Sequence, residues 1–109
     1  MKVDLLDCCQ TPDIEIVKVV LNTNRETESL CQCVRCGQYW FHRFLEIMKF
    51  DGSDDQTTWY SRITVNEAQT ILAYEERPDL TFLLTRPSIM KDNDVIQSVS
   101  GQPDKPLYG

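Results

Sequence analysis

Basic clusters and long apolar runs are what this sequence lacks, and it has a single histidine. No apolar segment approaches the roughly 18–20 residues that a membrane helix needs, so no membrane association is expected. The N-terminal MKVDLLDCCQ contains no apolar stretch of signal-peptide length, so a reducing, cytoplasmic location is expected. Lysines and arginines are dispersed and outnumbered, 11 against 17 acidic residues, for a net charge of −6. Such a surface is a poor match to the phosphate backbone of nucleic acid, and a basic protein partner is electrostatically easier. The imbalance lies mostly in the second half: residues 1–50 carry six Lys/Arg against seven Asp/Glu, and residues 51–109 carry five against ten. The one histidine, His42, has no serine or acidic partner fixed by a recognisable motif. A sheet-packed or surface imidazole is therefore expected rather than a general base.

What the chain does have is room for one domain, 1–109, with a core small enough that a metal cross-link would add noticeably to its stability. No repeat, linker or low-complexity tract divides it. The β-branched DIEIVKVVLN after Pro12 predicts a strand, NTNRETE a turn, and SLCQCV a returning strand, together an antiparallel hairpin. Residues 38–50, QYWFHRFLEIMKF, fit a strand by aromatic density and a helix by the spacing of Phe41, Phe44, Leu45 and Met48; the strand is preferred, because it leads out of a cysteine turn. DGSDD then reads as a solvated turn, without the ligand spacing of an EF-hand loop, and TTWYSRI as a further strand.

TVNEAQTILAYEE predicts the main helix, about 64–76. Thr64 and Glu67 form a capping-box pattern, Ala68, Ile71 and Leu72 give an apolar stripe, and Pro78 is the stop. PDLTFLL suggests a single turn, SIMKDNDVIQSV a second hairpin turning at Asn93-Asp94, and residues 101–109 an extended or loose tail. The expected fold class is α+β. A cysteine-bearing hairpin (8–50) and a strand, helix and hairpin (51–100) build a small antiparallel sheet.

Five cysteines, Cys8, Cys9, Cys31, Cys33 and Cys36, are an odd number, and in a reducing compartment they suit thiolates or metal ligands better than disulfides. Cys33-Val34-Arg35-Cys36-Gly37 is a C-x-x-C-G unit, whose two thiolates can grip one tetrahedral ion while the glycine supplies a positive φ after the second ligand. A hairpin turn within residues 22–27 would set Cys33 opposite Ile16, Cys36 opposite Asp13 and Cys31 opposite Lys18. A bend at Pro12 would then bring Cys8 and Cys9 over the knuckle. Cys31 would lie roughly 7 Å farther along the strand, outside it.

The stretch CVRCG followed by QYW resembles the knuckle of the zinc-ribbon and rubredoxin-like class. The resemblance implies a structural zinc between two knuckles at adjacent ends of a β-hairpin, with Cys33 and Cys36 as the second knuckle. The first departs from that pattern, since adjacent Cys8-Cys9 stands in place of another C-x-x-C. The expected ligands are Cys8, Cys9, Cys33 and Cys36. If one of the adjacent pair is idle, Cys31 or His42 would complete the tetrahedron.

Four thiolates close the coordination shell, so such a zinc would fold the chain rather than catalyse. The functional expectation is thus a small acidic, metal-stabilised, non-enzymatic module for protein–protein interaction, of inhibitor or immunity type. Its acidic surface would include Asp51, Asp54, Asp55, Glu75, Glu76 and Asp79. Two other classes stand beside it. One is a zinc ribbon that binds nucleic acid, for which Tyr39, Trp40, Phe41 and Phe44 could serve as a stacking platform rather than core. The other is a small metalloenzyme or redox protein, though redox C-x-x-C pairs normally open a helix in a βαβ unit and this one lies in a hairpin.

Overall fold

The β-branched IEIVKVVLN forms β1 (Ile14–Asn22), which turns at Thr23 and returns as β2 (Glu26–Cys33). The aromatic segment forms β3 (Tyr39–Met48) and the next β4 (Asp54–Ile63), before helix α1 (Val65–Ala73), a 3-10 turn (Thr81–Leu84), β5 (Ser88–Asp92) and β6 (Val95–Val99). This computed structural model describes residues 5–48, 51, 52 and 54–105, so residues 49 and 50 of the expected third strand and 106–109 of the expected tail lie outside it. Among the described residues the six strands make one antiparallel sheet in the order β1-β2-β3-β4-β5-β6, every strand beside its neighbour in sequence. No helix among those residues is long and apolar enough to cross a membrane.

Pleating sorts the side chains onto two faces. Leu30 pairs with Phe41 on one face and, with Ile63, receives Ala68 and Ile71 of α1 together with Leu80 and Leu83. The opposite face carries Ile14, Cys31, Cys33, Trp40 and Tyr60, and Leu6 of the N-terminal segment packs into that group.

The hairpin register departs from expectation. Leu21 and Asn22 pair with Glu28 and Thr27 as the turn position requires, but bulges between Val19 and Leu21 and between Ile16 and Lys18 each put an extra residue into β1. Cys33 therefore lies opposite Ile14 rather than Ile16, and Cys31 opposite Ile16 rather than Lys18. Asp13 accepts from the Val34 amide at 2.8 Å instead of facing Cys36. β1 is an edge strand, and bulges are concentrated at edges, where they twist the backbone away from further pairing.

The capping box is present, with the Glu67 amide donating to Thr64 Oγ1 at 3.1 Å and the Thr64 amide donating to Glu67 Oε1 at 2.8 Å. The helix stops at Ala73, three residues before the expected end, because Tyr74 is extended (φ −89°, ψ 135°). Lys18 Nζ donates to the carbonyls of Ile71 (at 2.8 Å) and Tyr74, which closes the helix end. Beyond it the chain bends back to the sheet, where Arg77 meets Glu28 at 2.9 Å.

That contact belongs to a buried ionic group absent from the sequence-based expectation. Glu26 and Glu28, assigned to a turn by their polarity, are strand residues with no exposed surface. Fully buried Arg43 meets Glu26 at 2.5 Å and Glu28 at 3.5 Å, so two guanidiniums face two carboxylates. Arg43 also donates to the carbonyls of Pro103 at 2.8 Å and Lys105 at 3.0 Å. The segment after Val99 is irregular, as its prolines imply, but it is tied down through residue 105 rather than loose. Gln102 is buried and donates to Ser61 Oγ at 2.6 Å, and a Cβ on Gly101 would lie 1.9 Å from the Leu84 carbonyl oxygen, an approach only glycine permits.

Candidate metal centre

Cys33 ends β2, residues 34–36 turn, and Gly37 follows at φ 83°, the left-handed conformation expected after the second cysteine. The turn is locked by Gly37 N–H donating to the Cys33 carbonyl at 2.8 Å and Cys33 N–H donating to the Gln38 carbonyl at 2.9 Å. Burial alone would raise the Cys33 thiol, but backbone hydrogen bonds at Asp13, Cys36 and Arg35 outweigh it and lower it to about 6. A thiolate at this position is therefore prepared by the backbone.

The N-terminal segment supplies the other half. Leu6 in the core and buried Pro12 fix its two ends, and between them Cys8 and Cys9 lie over the knuckle. The Sγ atoms of Cys9 and Cys33 are 3.8 Å apart, and those of Cys8, Cys9, Cys33 and Cys36 all lie within 4.8 Å of one another. Cys33 is buried, Cys8 and Cys9 are half-buried and Cys36 is exposed, so the cluster sits at the surface with one wall in the core. Desolvation, then the adjoining Cys36 and Cys33 sulfurs, push the Cys8 thiol up to about 12. Cys9 is raised by desolvation and by the same neighbours, against a backbone hydrogen bond at Thr11. A cation would offset that mutual repulsion.

The donor set fits a single tetrahedral ion. With Zn–S bonds near 2.3 Å, the sulfurs of a tetrathiolate site stand about 3.8 Å apart; the Cys9–Cys33 pair already has that separation, and the 4.8 Å limit on the rest leaves small side-chain rotations to make. Trp40 adds a feature that sequence reading missed. Its indole N–H is buried without a hydrogen-bond partner and lies close enough to Cys8 to favour its thiolate, against the desolvation that raises it. The sequence shows only an aromatic residue after the knuckle; the pairing of Trp40 with Cys31 turns the ring to this face.

Neither alternative ligand reaches the group. Cys31 is buried, with its thiol raised by desolvation and its Sγ 3.5 Å from Ser29 Oγ. His42 stacks on Tyr60, ring centroids 4.5 Å apart, and desolvation lowers its pKa to about 4. Trp40 and Phe41 are core residues, which removes them from a stacking platform for bases. Of the acidic residues expected at the surface, Asp51, Asp54, Glu75, Glu76 and Asp79 are exposed and Asp55 is half-buried. Asp79 accepts from the amide and hydroxyl of Thr81, the cause of its lowered pKa.

Comparison with known protein families, with curated proteins and with solved structures finds no match to the chain.

Proposed function

We propose that Cys8, Cys9, Cys33 and Cys36 bind one zinc ion in a closed, structural site of the zinc-ribbon kind. The protein it stabilises is a non-enzymatic interaction module, of inhibitor or immunity type, that meets a protein partner through its acidic surface. One observation carries the metal reading: four sulfurs from two distant segments gathered within 4.8 Å. The ion would fasten the N-terminal segment to the turn after β2, and four sulfur ligands leave no open position for substrate. The interaction reading is supported by the net charge of −6, which disfavours nucleic acid and favours a basic protein surface.

Metal analysis and X-ray absorption of the purified protein test the site. One zinc per chain with four sulfur neighbours is expected, and a shell containing oxygen would instead indicate an open, reactive ion. Affinity capture of a protein partner, weakened by salt, and no shift of DNA or RNA in low-salt gels are the expected interaction results. Tight nucleic-acid binding would overturn that part and leave the zinc site untouched.

A further inference from the structure

The geometry points to a second site, beside the cysteines and sharing Trp40 with them: a cleft that binds a small organic anion with an apolar body. The cleft holds about 550 Å³, within the range of small-molecule sites. Its floor draws on three neighbouring strands, from the edges of buried Trp40 on β3 and Tyr60 on β4 and from half-buried Ile89 on β5. The registers Trp40–Arg62 and Tyr60–Ile89 place these side chains, and Arg62, on one face of the sheet.

Arg62 makes this more than an apolar hollow. Its guanidinium lies 5.5 Å from the centroid of the Trp40 ring and meets Asp7 at 2.8 Å, and both Arg62 and Asp7 line the cleft. The Arg62 and Asp7 side chains are 49% and 75% exposed. An ion pair so exposed contributes little, so its carboxylate is readily exchanged. A ligand whose apolar body lies against Pro87, Ile89 and Val99 would shield Arg62 from water and present its own anionic group where Asp7 now sits, turning a solvated pair into a desolvated one.

Arg86, also in the wall, is engaged otherwise. It donates to both carboxylate oxygens of Glu67, at 2.8 and 2.6 Å, and to the Arg62 carbonyl at 3.1 Å. It braces the cleft and leaves Arg62 as the anion contact.

Anilinonaphthalene sulfonate, an aromatic sulfonate with an apolar body, is the probe, titrated into the full chain and followed by fluorescence. Saturable binding of one probe per chain is expected. Replacing Arg62 by glutamine weakens it by about tenfold or more, the scale of a charge-assisted hydrogen bond. Asp7→Asn tightens it, because the competing carboxylate is gone. Ile89→Trp fills the floor and abolishes binding, while Lys91→Gln on the same strand leaves it unchanged. N-phenyl-1-naphthylamine, similar but without the sulfonate, binds the unaltered protein at least about tenfold more weakly for the same reason. Equal binding of the two probes, a loss rather than a gain in Asp7→Asn, or no saturable site would overturn the proposal. The neutral-probe and Asp7→Asn arms decide it even if Arg62→Gln fails to fold.

Discussion

The sulfurs of Cys9 and Cys33 stand 3.8 Å apart although 24 residues separate them along the chain. That separation is close to one edge of a zinc tetrathiolate tetrahedron, and β1 with its hairpin turn lies between the two residues. The pairing draws the N-terminal segment across the end of the sheet, and both ligand segments are held independently, one by the locked turn after Cys33 and the other by Leu6 in the core.

Replacing Cys8, Cys9, Cys33 or Cys36 singly by serine should cost more zinc affinity than the roughly 10–100-fold that follows loss of a supporting partner. Cys31→Ser should leave affinity unchanged. Competition with a chromophoric chelator measures both, and full affinity in Cys8→Ser and Cys9→Ser together would remove these two from the ligand set.

Trp40→Phe keeps most of the ring and deletes the N–H that lies close to Cys8. Zinc affinity should fall by about tenfold, at the lower end of effects seen for groups that support a ligand, with the fold intact by circular dichroism. An affinity equal to that of the unaltered protein would show that the indole N–H does not support Cys8.

Arg43→Met should destabilise the protein by about 3–5 kcal/mol, because it leaves two buried carboxylates with one guanidinium fewer and frees the tail carbonyls at Pro103 and Lys105. Urea unfolding at neutral pH measures the loss. Glu26→Gln in the same background should recover part of it, since one of the stranded charges is then gone; no recovery would contradict the electrostatic account.

The stacked imidazole of His42 gives an acid-side prediction. Its folded pKa, near 4, lies below the ordinary 6.5. Above pH 6.5 both folded and unfolded chains hold it neutral, so it adds no pH dependence there. As pH falls from 6.5 toward 4, the unfolded chain takes up a proton that the folded one refuses, and stability drops by up to about 1.4 kcal/mol per pH unit, about 3 kcal/mol in all. His42→Phe should lose less stability than the unaltered protein over that interval in urea titrations. Parallel losses would mean that His42 titrates normally.

Local chemistry accounts for what the sequence made legible. The C-x-x-C-G unit, the Thr64–Glu67 box and the β-branched run each specify their own backbone through contacts a few residues apart. Long-range pairing decides the rest. Glu26 and Glu28 look like turn residues until Arg43 and Arg77, distant in sequence, arrive to neutralise them. The two bulges in β1 follow from its place at the sheet edge, which no pattern within IEIVKVVLN encodes. They also account for the expected register being two residues off at the knuckle: the end of the strand shifted, but Cys33 and the segment before Pro12 still meet there, so the four expected cysteines come together.

Strand order has a kinetic consequence. Because each strand lies beside its neighbour in sequence, β1–β4 and β5–β6 can assemble hairpin by hairpin through short loops of low entropic cost, whereas β4 and β5 close across residues 64–87, which hold α1 and the 3-10 turn. Among the described residues the hydrogen bonds of longest reach come from the C-terminal segment, where Gln102 meets Phe41 across 61 residues and Arg43 meets Lys105 across 62, while Arg62 meets Asp7 across 55. By the same argument those closures cost more entropy than any hairpin, so the segments at residues 5–12 and 101–105 act as a clasp on the sheet.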